Sequence, residues 1–299
     1  MRIAVVGSYG VGLTMRASRL PEPGETLLGG AFDQGPGGKG SNQAIGAARL
    51  GADVSLLTAV GDDEFGVAAR RLWAAEGVDD SHVVVHPGAA TMVGFIIVEP
   101  NGENRIVIAS GALDTLDEAA VESFRSEIAA ADIVVVSMEI PLAAVMAALR
   151  VAREVGTRTL LNPAPAQPLP DDAWALIDVI TPNQTEARIL LDVDDGDDLD
   201  LAERLQKLTD AAVVLTRGGD GATIVDASGV TEVSAVRATA VVDTTGAGDS
   251  FTAALAVSLA AGDSLAVAAR YAAAAGAHTV SIPGVIPALP TRDQIGTTS

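Results

Sequence analysis

The sequence predicts an α/β protein: a doubly wound, mostly parallel central sheet with helices on both faces, plus a small β-sheet standing outside it. Three observations carry this. Apolar runs of strand length recur at residues 3–6, 54–58, 133–136, 159–161, 179–180, 213–215 and 223–225. Several are almost continuously apolar, as strands buried on both faces must be. Helix-period stretches lie between them at 64–76, 117–128, 142–154, 199–208, 247–261 and 264–277, and strand alternating with helix gives a parallel sheet. Two segments, 12–38 and 91–109, break the alternation with strand-like pieces and turn signals.

Local signals refine each element. Asp62 can cap the helix that follows Gly61, and Pro141 opens another. Gly262 ends the helix 247–261, after which Asp263 or Ser264 caps the next. Residues 95–98 and 105–109 flank Pro100-Asn101-Gly102, a hairpin with its turn at Asn101-Gly102. The segments 12–38 and 91–109 are therefore expected to form one small sheet, a lid over a cleft in a single domain spanning 1–299. The acidic run 192–200 reads as a solvated loop.

Composition narrows the function. Apolar residues make up 48 % of 299 residues and aromatics 3 %, so the core must be built from Ala, Val, Leu and Ile. A formal net charge of -20 repels phosphate backbones and argues against nucleic acid or an anionic membrane as partner. There are no cysteines, which excludes disulfides, thiolate catalysis and Cys-ligated zinc. No apolar stretch reaches the ~18 residues of a spanning helix. The chain runs from Met1-Arg2 straight into a strand, so no signal peptide is expected and the cytoplasm is the expected location.

Three glycine-rich places compete as sites. Gly7-Ser8-Tyr9-Gly10-Val11-Gly12 follows the first strand, but its order does not fit G-x-G-x-x-G and no helical pattern follows. Gly35-Pro36-Gly37-Gly38-Lys39-Gly40-Ser41-Asn42 lacks the Gly spacing of a phosphate-binding P-loop. It does bring glycines against the start of a helix, 42–50, where a ligand can approach the backbone closely and Asn42 can donate and accept, as a polyol requires. In Asp243-Thr244-Thr245-Gly246-Ala247-Gly248-Asp249 a helix begins inside the motif. Backbone N–H groups of Gly246, Ala247, Gly248 and Asp249 can converge on an anion there. Asp249 is either an ordinary helix cap or the base that takes a hydroxyl proton beside that anion hole.

These last two motifs, with Leu161-Asn162-Pro163-Ala164-Pro165-Ala166, Thr181-Pro182-Asn183-Gln184-Thr185-Glu186 and Leu215-Thr216-Arg217-Gly218-Gly219-Asp220-Gly221 in the same order, resemble the signatures of the PfkB carbohydrate kinases, in their ribokinase-like form, over essentially the whole chain. The resemblance implies a ribokinase-like fold and an ATP-dependent sugar kinase. It implies Asp249 as base and residues 246–249 as anion hole, with Gly10, Gly12, Gly38, Lys39, Asn42 and Glu139 around the acceptor. It implies Asn183, Glu186, Thr216, Arg217, Gly218, Gly219, Gly221 and Gly248 at the nucleotide, Glu186 also serving Mg²⁺ through water. A monovalent cation, K⁺ in most of the family, would lie at Asp243, Thr245, Thr279, Ile282, Gly284 and Ala288. A homodimer paired through the lid sheets is also implied, the lid's free strand edges inviting such pairing.

The chain also departs from that pattern. Ribokinases usually carry Asn and Asp where Gly10 and Gly12 stand, and Asn where Leu113 stands. Losing a hydrogen bond to a charged acceptor costs roughly 1.5–3 kcal/mol. Ribose therefore leads narrowly over deoxyribose, another pentose, a ketohexose or a nucleoside. Leu113 either packs or faces a less polar acceptor. Ala288 replaces a common Ser beside the cation. A sugar- or nucleotide-binding regulator without catalysis is the reading from another class, and the intact Asp249 counts against it.

Overall fold

The computed structural model describes residues 1–296. A nine-stranded sheet is ordered Gly229–Val233, Ala222–Asp226, Ala212–Thr216, Val179–Ile180, Arg158–Asn162, Ile133–Ser137, Arg2–Val6, Asp53–Leu57, Val78–Asp79. The seven strands from Ala212–Thr216 to Val78–Asp79 are parallel, and the two at the other edge are antiparallel. Period-2 alternation divides the core. Ile3, Val5, Ile133 and Val135 pack into one hydrophobic cluster, while Ala4, Val6, Val134 and Val136 pack into the other. The first cluster is covered by helices Lys39–Arg49, Ala247–Ala260 and Leu265–Thr279. The second is covered mainly by Leu142–Val155 and Asp198–Thr209. The sheet is thus doubly wound, as the sequence predicts.

Strand order reverses at Arg2–Val6. The chain moves outward to Asp53–Leu57, then returns to the other side at Ile133–Ser137. Ligands of open α/β sheets bind beyond the carboxyl ends of the strands at such a switch point. Ser8 and Glu139 follow the two strands that flank it.

The second sheet has four strands, in the order Phe32–Gly37, Gly10–Arg16, Val93–Val98, Asn104–Ala109. It starts at Gly10 rather than residue 12, because Gly10 already pairs with Gly37. Every residue of Asn104–Ala109 is exposed. Its hairpin turns between Glu99 and Glu103, with Gly102 at φ 86°.

Several local expectations change. The helix expected over 117–128 splits into Glu118–Ser123 and Arg125–Ala130. The turn tightens at Phe124, whose N–H bonds Val121 O, and the buried ring stands edge-on to His82. The cap of helix Glu64–Glu76 is Asp63, not Asp62. The acidic run is a loop only in part: Asp197 caps helix Asp198–Thr209, so the last three residues of the run are helical. Leu113 is 1 % exposed and packs in the second cluster, which settles it as a core residue. No helix among the described residues is long and apolar enough to cross a membrane.

Because Leu113 is enclosed, Leu113→Ala should cost about 2–5 kcal/mol of stability, read as a lowered urea midpoint with an unchanged m-value. A loss below ~0.5 kcal/mol would mean the side chain is not part of the core.

Candidate active site

The strand Arg2–Val6 ends in a turn whose Ser8 hydroxyl donates to Glu139 Oε2 at 2.5 Å. The Lys39 N–H donates to the same oxygen at 3.1 Å. One carboxylate thereby joins both sides of the switch point to the start of helix Lys39–Arg49. Gly38 precedes that helix at φ 89°, and a Cβ there would sit 2.5 Å from Tyr9 Cα, so the approach requires glycine. The Trp73 indole donates to Ser41 Oγ at 2.8 Å and stands edge-on to Tyr9, which fixes the helix start from behind.

Helix Ala247–Ala260 begins at Gly246 and carries Asp249 in its first turn, 8 % exposed. Both carboxylate oxygens are gripped from helix Lys39–Arg49. Asn42 Nδ2 donates to Oδ2 at 2.8 Å, and Gln43 Nε2 donates to Oδ1 at 3.1 Å. Gln43 Nε2 also lies 3.0 Å from Asn162 Oδ1, and Asn162 Nδ2 donates to Thr181 O. The other amide oxygens, Asn42 Oδ1 and Gln43 Oε1, are buried without a donor among the described residues. The N–H groups of Gly246, Gly248 and Asp249 likewise have no acceptor there, whereas the Ala247 N–H is taken by Thr244 O. The anion hole expected from four N–H groups thus has three free ones.

Burial pushes the Asp249 carboxyl up. The Lys39 charge and the amide bonds from Asn42 and Gln43 oppose this, while the Glu139 charge adds to it. Burial also raises Glu186, against the backbone bond from Asn183 and the Lys39 charge. For Lys39 burial works against the charge, yet Asp249, Glu139 and Glu186 together hold its ammonium above the usual value. Lys39 is thus a fixed positive charge amid three carboxylates.

A cleft of about 170 Å³ is lined by Lys39, Asn162, Asn183, Glu186, Thr216, Gly246, Gly248 and Asp249 among others. Asn183 and Glu186 form a capping box: Asn183 Oδ1 accepts from Glu186 N and Glu186 Oε2 accepts from Asn183 N, both at 2.8 Å. Thr216 bridges to Asn183 at the ends of neighbouring strands. Arg217, Gly218, Gly219 and Gly221 continue as a tight turn closed by Arg217 N–H to Gly221 O at 2.8 Å. The Arg217 guanidinium pairs with Glu232 at 2.6 Å, so it is engaged within the small turn region. Gly10 and Gly12 stand apart from the cleft in the small sheet, where Gly12 lies between Gly35 and Gly94.

Among the described residues no three His or acidic side chains converge to hold a metal. Glu186 Oε1 and an ion carried on nucleotide phosphates, with water between, is the arrangement this donor set fits. The Asp243 carboxylate accepts from Thr245 N at 2.9 Å and Gly284 N at 3.0 Å, drawing two loops together. Those bonds hold Asp243 below the usual carboxylate range although burial opposes them. The carbonyls of Asp243, Thr245, Ile282 and Gly284 have no donor among the described residues. Thr279 O accepts from Ile282 N, and the Thr279 hydroxyl lies 3.0 Å from Ala275 O and 3.3 Å from Ala288 O. Four free carbonyls suit a monovalent cation, and Thr279 and Ala288 brace them.

Sequence reasoning assigned no role to Gln43, Asn162 or Ser8. Their only signal is adjacency within motifs already singled out. Which oxygen each amide reaches depends on how two helices distant in sequence are packed.

The raised Asp249 carboxyl has a consequence for stability. Charge there is disfavoured in the folded state, so the cost is present above the folded pKa and disappears below ~pH 4, where the unfolded group is also neutral. Asp249→Asn removes it, and a flipped Asn42 amide can use its unpartnered Oδ1 to accept the new NH₂. At pH 7–8 the variant should gain about 1 kcal/mol, seen as a higher melting temperature, with the gain vanishing near pH 4. A lower melting temperature at pH 8 than at pH 4, relative to the parent, contradicts this.

Residues 2–292 match the model of the pfkB family carbohydrate kinases. A ribokinase of Haemophilus influenzae is 36 % identical over 295 residues, covering 98 % of this chain and 96 % of the relative. A deoxyribokinase of Salmonella typhimurium is 36 % identical over 257 residues, covering 84 % and 83 %. The structure of Arabidopsis thaliana ribokinase complexed with ribose and ATP superposes with a TM-score of 0.92 at 28 % identity, covering 98 % and 96 %. The whole-chain match and these relatives agree with the buried acid set at a helix N-terminus: the chain belongs to the pfkB family of carbohydrate kinases and is an ATP-dependent sugar kinase.

Proposed function

We propose that the protein transfers the γ-phosphoryl group of ATP to a hydroxyl of ribose, with Asp249 as the base. The observation that carries this is Asp249 itself: a buried carboxylate, gripped on both oxygens, beside three free N–H groups and a half-buried lysine. Asp249 takes the hydroxyl proton as the acceptor oxygen bonds to the γ-phosphorus and the bond to the β-phosphate oxygen breaks, releasing ADP. The N–H groups of Gly246, Gly248 and Asp249 and the Lys39 ammonium face the charge that develops on the phosphoryl oxygens. Asn42 Oδ1 and Gln43 Oε1, both short of a donor, suit acceptor hydroxyls. Asn183 and Glu186 would serve Mg²⁺ through water, and the carbonyls around Asp243 and Gly284 would hold K⁺. Both ions supply positive charge at the phosphates.

The reading includes a lid. The small sheet, residues 10–37 and 93–109, would cover the acceptor and exclude water. Asn104–Ala109, with Ile106, Val107 and Ile108 at 53 %, 73 % and 51 % exposure, is a free apolar edge suited to pairing with a second copy. A homodimer through the lids and a cytoplasmic location, where ATP is supplied, belong to the same reading.

One observation favours a second acceptor. Gly10 and Gly12 put no side chain where a sugar's hydroxyls would meet an acid, and a Cβ on Gly12 would meet nothing closer than 3.6 Å. An acceptor lacking one of those hydroxyls, deoxyribose first, would lose little there; another pentose, a ketohexose or a nucleoside is the further alternative.

ADP release should be measured with ATP, Mg²⁺ and K⁺ across ribose, deoxyribose, other pentoses, ketohexoses and nucleosides. Acceptor-dependent release is expected, strongest with ribose, and reduced by about three orders of magnitude in Asp249→Asn with ligand binding retained. A strong signal only with another acceptor replaces ribose and keeps the kinase. No release with any acceptor overturns the reading in favour of a binding protein.

Gln43 gives a pH prediction. Its amide stabilises the charged form of Asp249, and a hydrogen bond to a charged group is worth about 1.5–3 kcal/mol. In Gln43→Met the acidic limb of kcat/KM should move up by about one pH unit. An unmoved limb would mean the amide does not tune the base.

A further inference from the structure

Two strands of the small sheet leave the large domain through one knot. Val93–Val98 departs after Ala89–Met92, and Asn104–Ala109 returns into Ser110–Gly111. Asp63, the cap of helix Glu64–Glu76, reaches into this knot. Its Oδ1 accepts from Gly66 N at 2.8 Å and from the Thr91 hydroxyl at 2.6 Å, and its Oδ2 accepts from Thr91 N at 2.7 Å. The Thr91 hydroxyl oxygen in turn accepts from Gly61 N at 3.0 Å. Thr91 is 1 % exposed. A helix cap satisfied by Gly66 alone would not need the other three bonds.

The backbone is pressed together at the same place. A Cβ on Gly61 would strike Ala89 O, one on Gly66 would strike Gly61 O, and one on Gly111 would strike Ala90 O. Ala112 N–H donates to Ala90 O at 2.7 Å, so both feet of the hairpin are tied to each other as well as to Asp63. The next residue passes the constraint on. Met92 O accepts from Val11 N at 2.9 Å, and the Met92 side chain fills the space that a Cβ on Gly10 would need. The path Asp63, Thr91, Met92 therefore ends at Gly10 and Val11, next to Gly12.

We propose that Asp63 is a positioning residue for phosphoryl transfer: acting through Thr91 and Met92, it fixes the angle at which the small sheet leaves the large domain, and so the distance between the Gly10–Gly12 wall and Asp249. The inference rests on the acceptor site and lid of the proposed function. Asp63 touches neither acceptor nor nucleotide. An acid is needed because one side chain must accept three bonds through two oxygens, which an amide of the same shape cannot do.

The test uses the full-length protein and three variants. Asp63→Asn keeps one oxygen for the Gly66 cap but turns an NH₂ toward an N–H donor. Thr91→Val removes the hydroxyl at constant size, and Thr91→Ser restores it. With ribose and ATP as substrates, Asp63→Asn and Thr91→Val should each raise KM for ribose by about tenfold or more, the scale of a ~1 Å misplacement. KM for ATP should stay within about twofold, and ATP hydrolysis without ribose should rise relative to kcat, since a misplaced lid admits water. Thr91→Ser should return all three values to those of the parent. Amide hydrogen exchange of residues 93–109, measured without ligands, should speed up in the first two variants and not in the third. Lower melting temperatures with unchanged ribose KM, coupling and exchange would reduce Asp63 to an ordinary helix cap and overturn the proposal. A parent protein inactive on ribose and on every other acceptor would overturn the functional reading instead, and the exchange result would still decide whether Asp63 holds the sheet.

Discussion

A carboxylate that must stay available as a base in a nearly dry site has to be held by donors that do not neutralise it. Asp249 meets this condition through two amides, Asn42 on one oxygen and Gln43 on the other. Those amides stand on a helix more than two hundred residues away in sequence, so the grip exists only if helices Lys39–Arg49 and Ala247–Ala260 lie side by side. A Cβ on Gly46 would come within 2.9 Å of Ala253 Cβ, which shows how closely they approach. The alanine-rich composition follows from that approach, since larger side chains would move the amides out of reach.

The electrostatics of the cleft are asymmetric for the same reason. The chain is strongly acidic, yet one half-buried lysine stands amid Asp249, Glu139 and Glu186. Removing that charge would leave three carboxylates close together with little solvent. A net charge of -20 sets the long-range field, but a phosphate in the cleft would be next to helix N-terminal N–H groups and Lys39. Net charge alone says little about an anionic ligand here, because the groups that would receive it are local.

Glycine serves two separate purposes. At Gly38 and Gly246 it permits positive φ at the mouths of two helices, so that backbone N–H groups face the site. At the foot of the small sheet, Gly61, Gly66 and Gly111 permit contact between backbones, with nothing to do with a ligand. The two uses look alike in the sequence.

The sequence by itself determined the sheet apart from its two edge strands, Val78–Asp79 and Gly229–Val233, most of its helices, the second small sheet and the two glycine motifs, because these depend on periodicity and turn chemistry over short spans. It also singled out Asp249, as a helix cap or a base, through the coincidence of an acid with a helix start. Tertiary structure decided what depends on packing between distant segments. It placed Leu113 in the core, which no local pattern distinguishes from a cleft-facing leucine. It gave the cap to Asp63 rather than Asp62, and broke one helix at Phe124 to seat a ring. It brought Gln43 to Asp249 and Asn162 to Gln43, and left three free N–H groups where four were expected. In each case the deciding quantity is a side-chain direction or a hydrogen-bond partner, set by neighbours that the linear order of residues does not name.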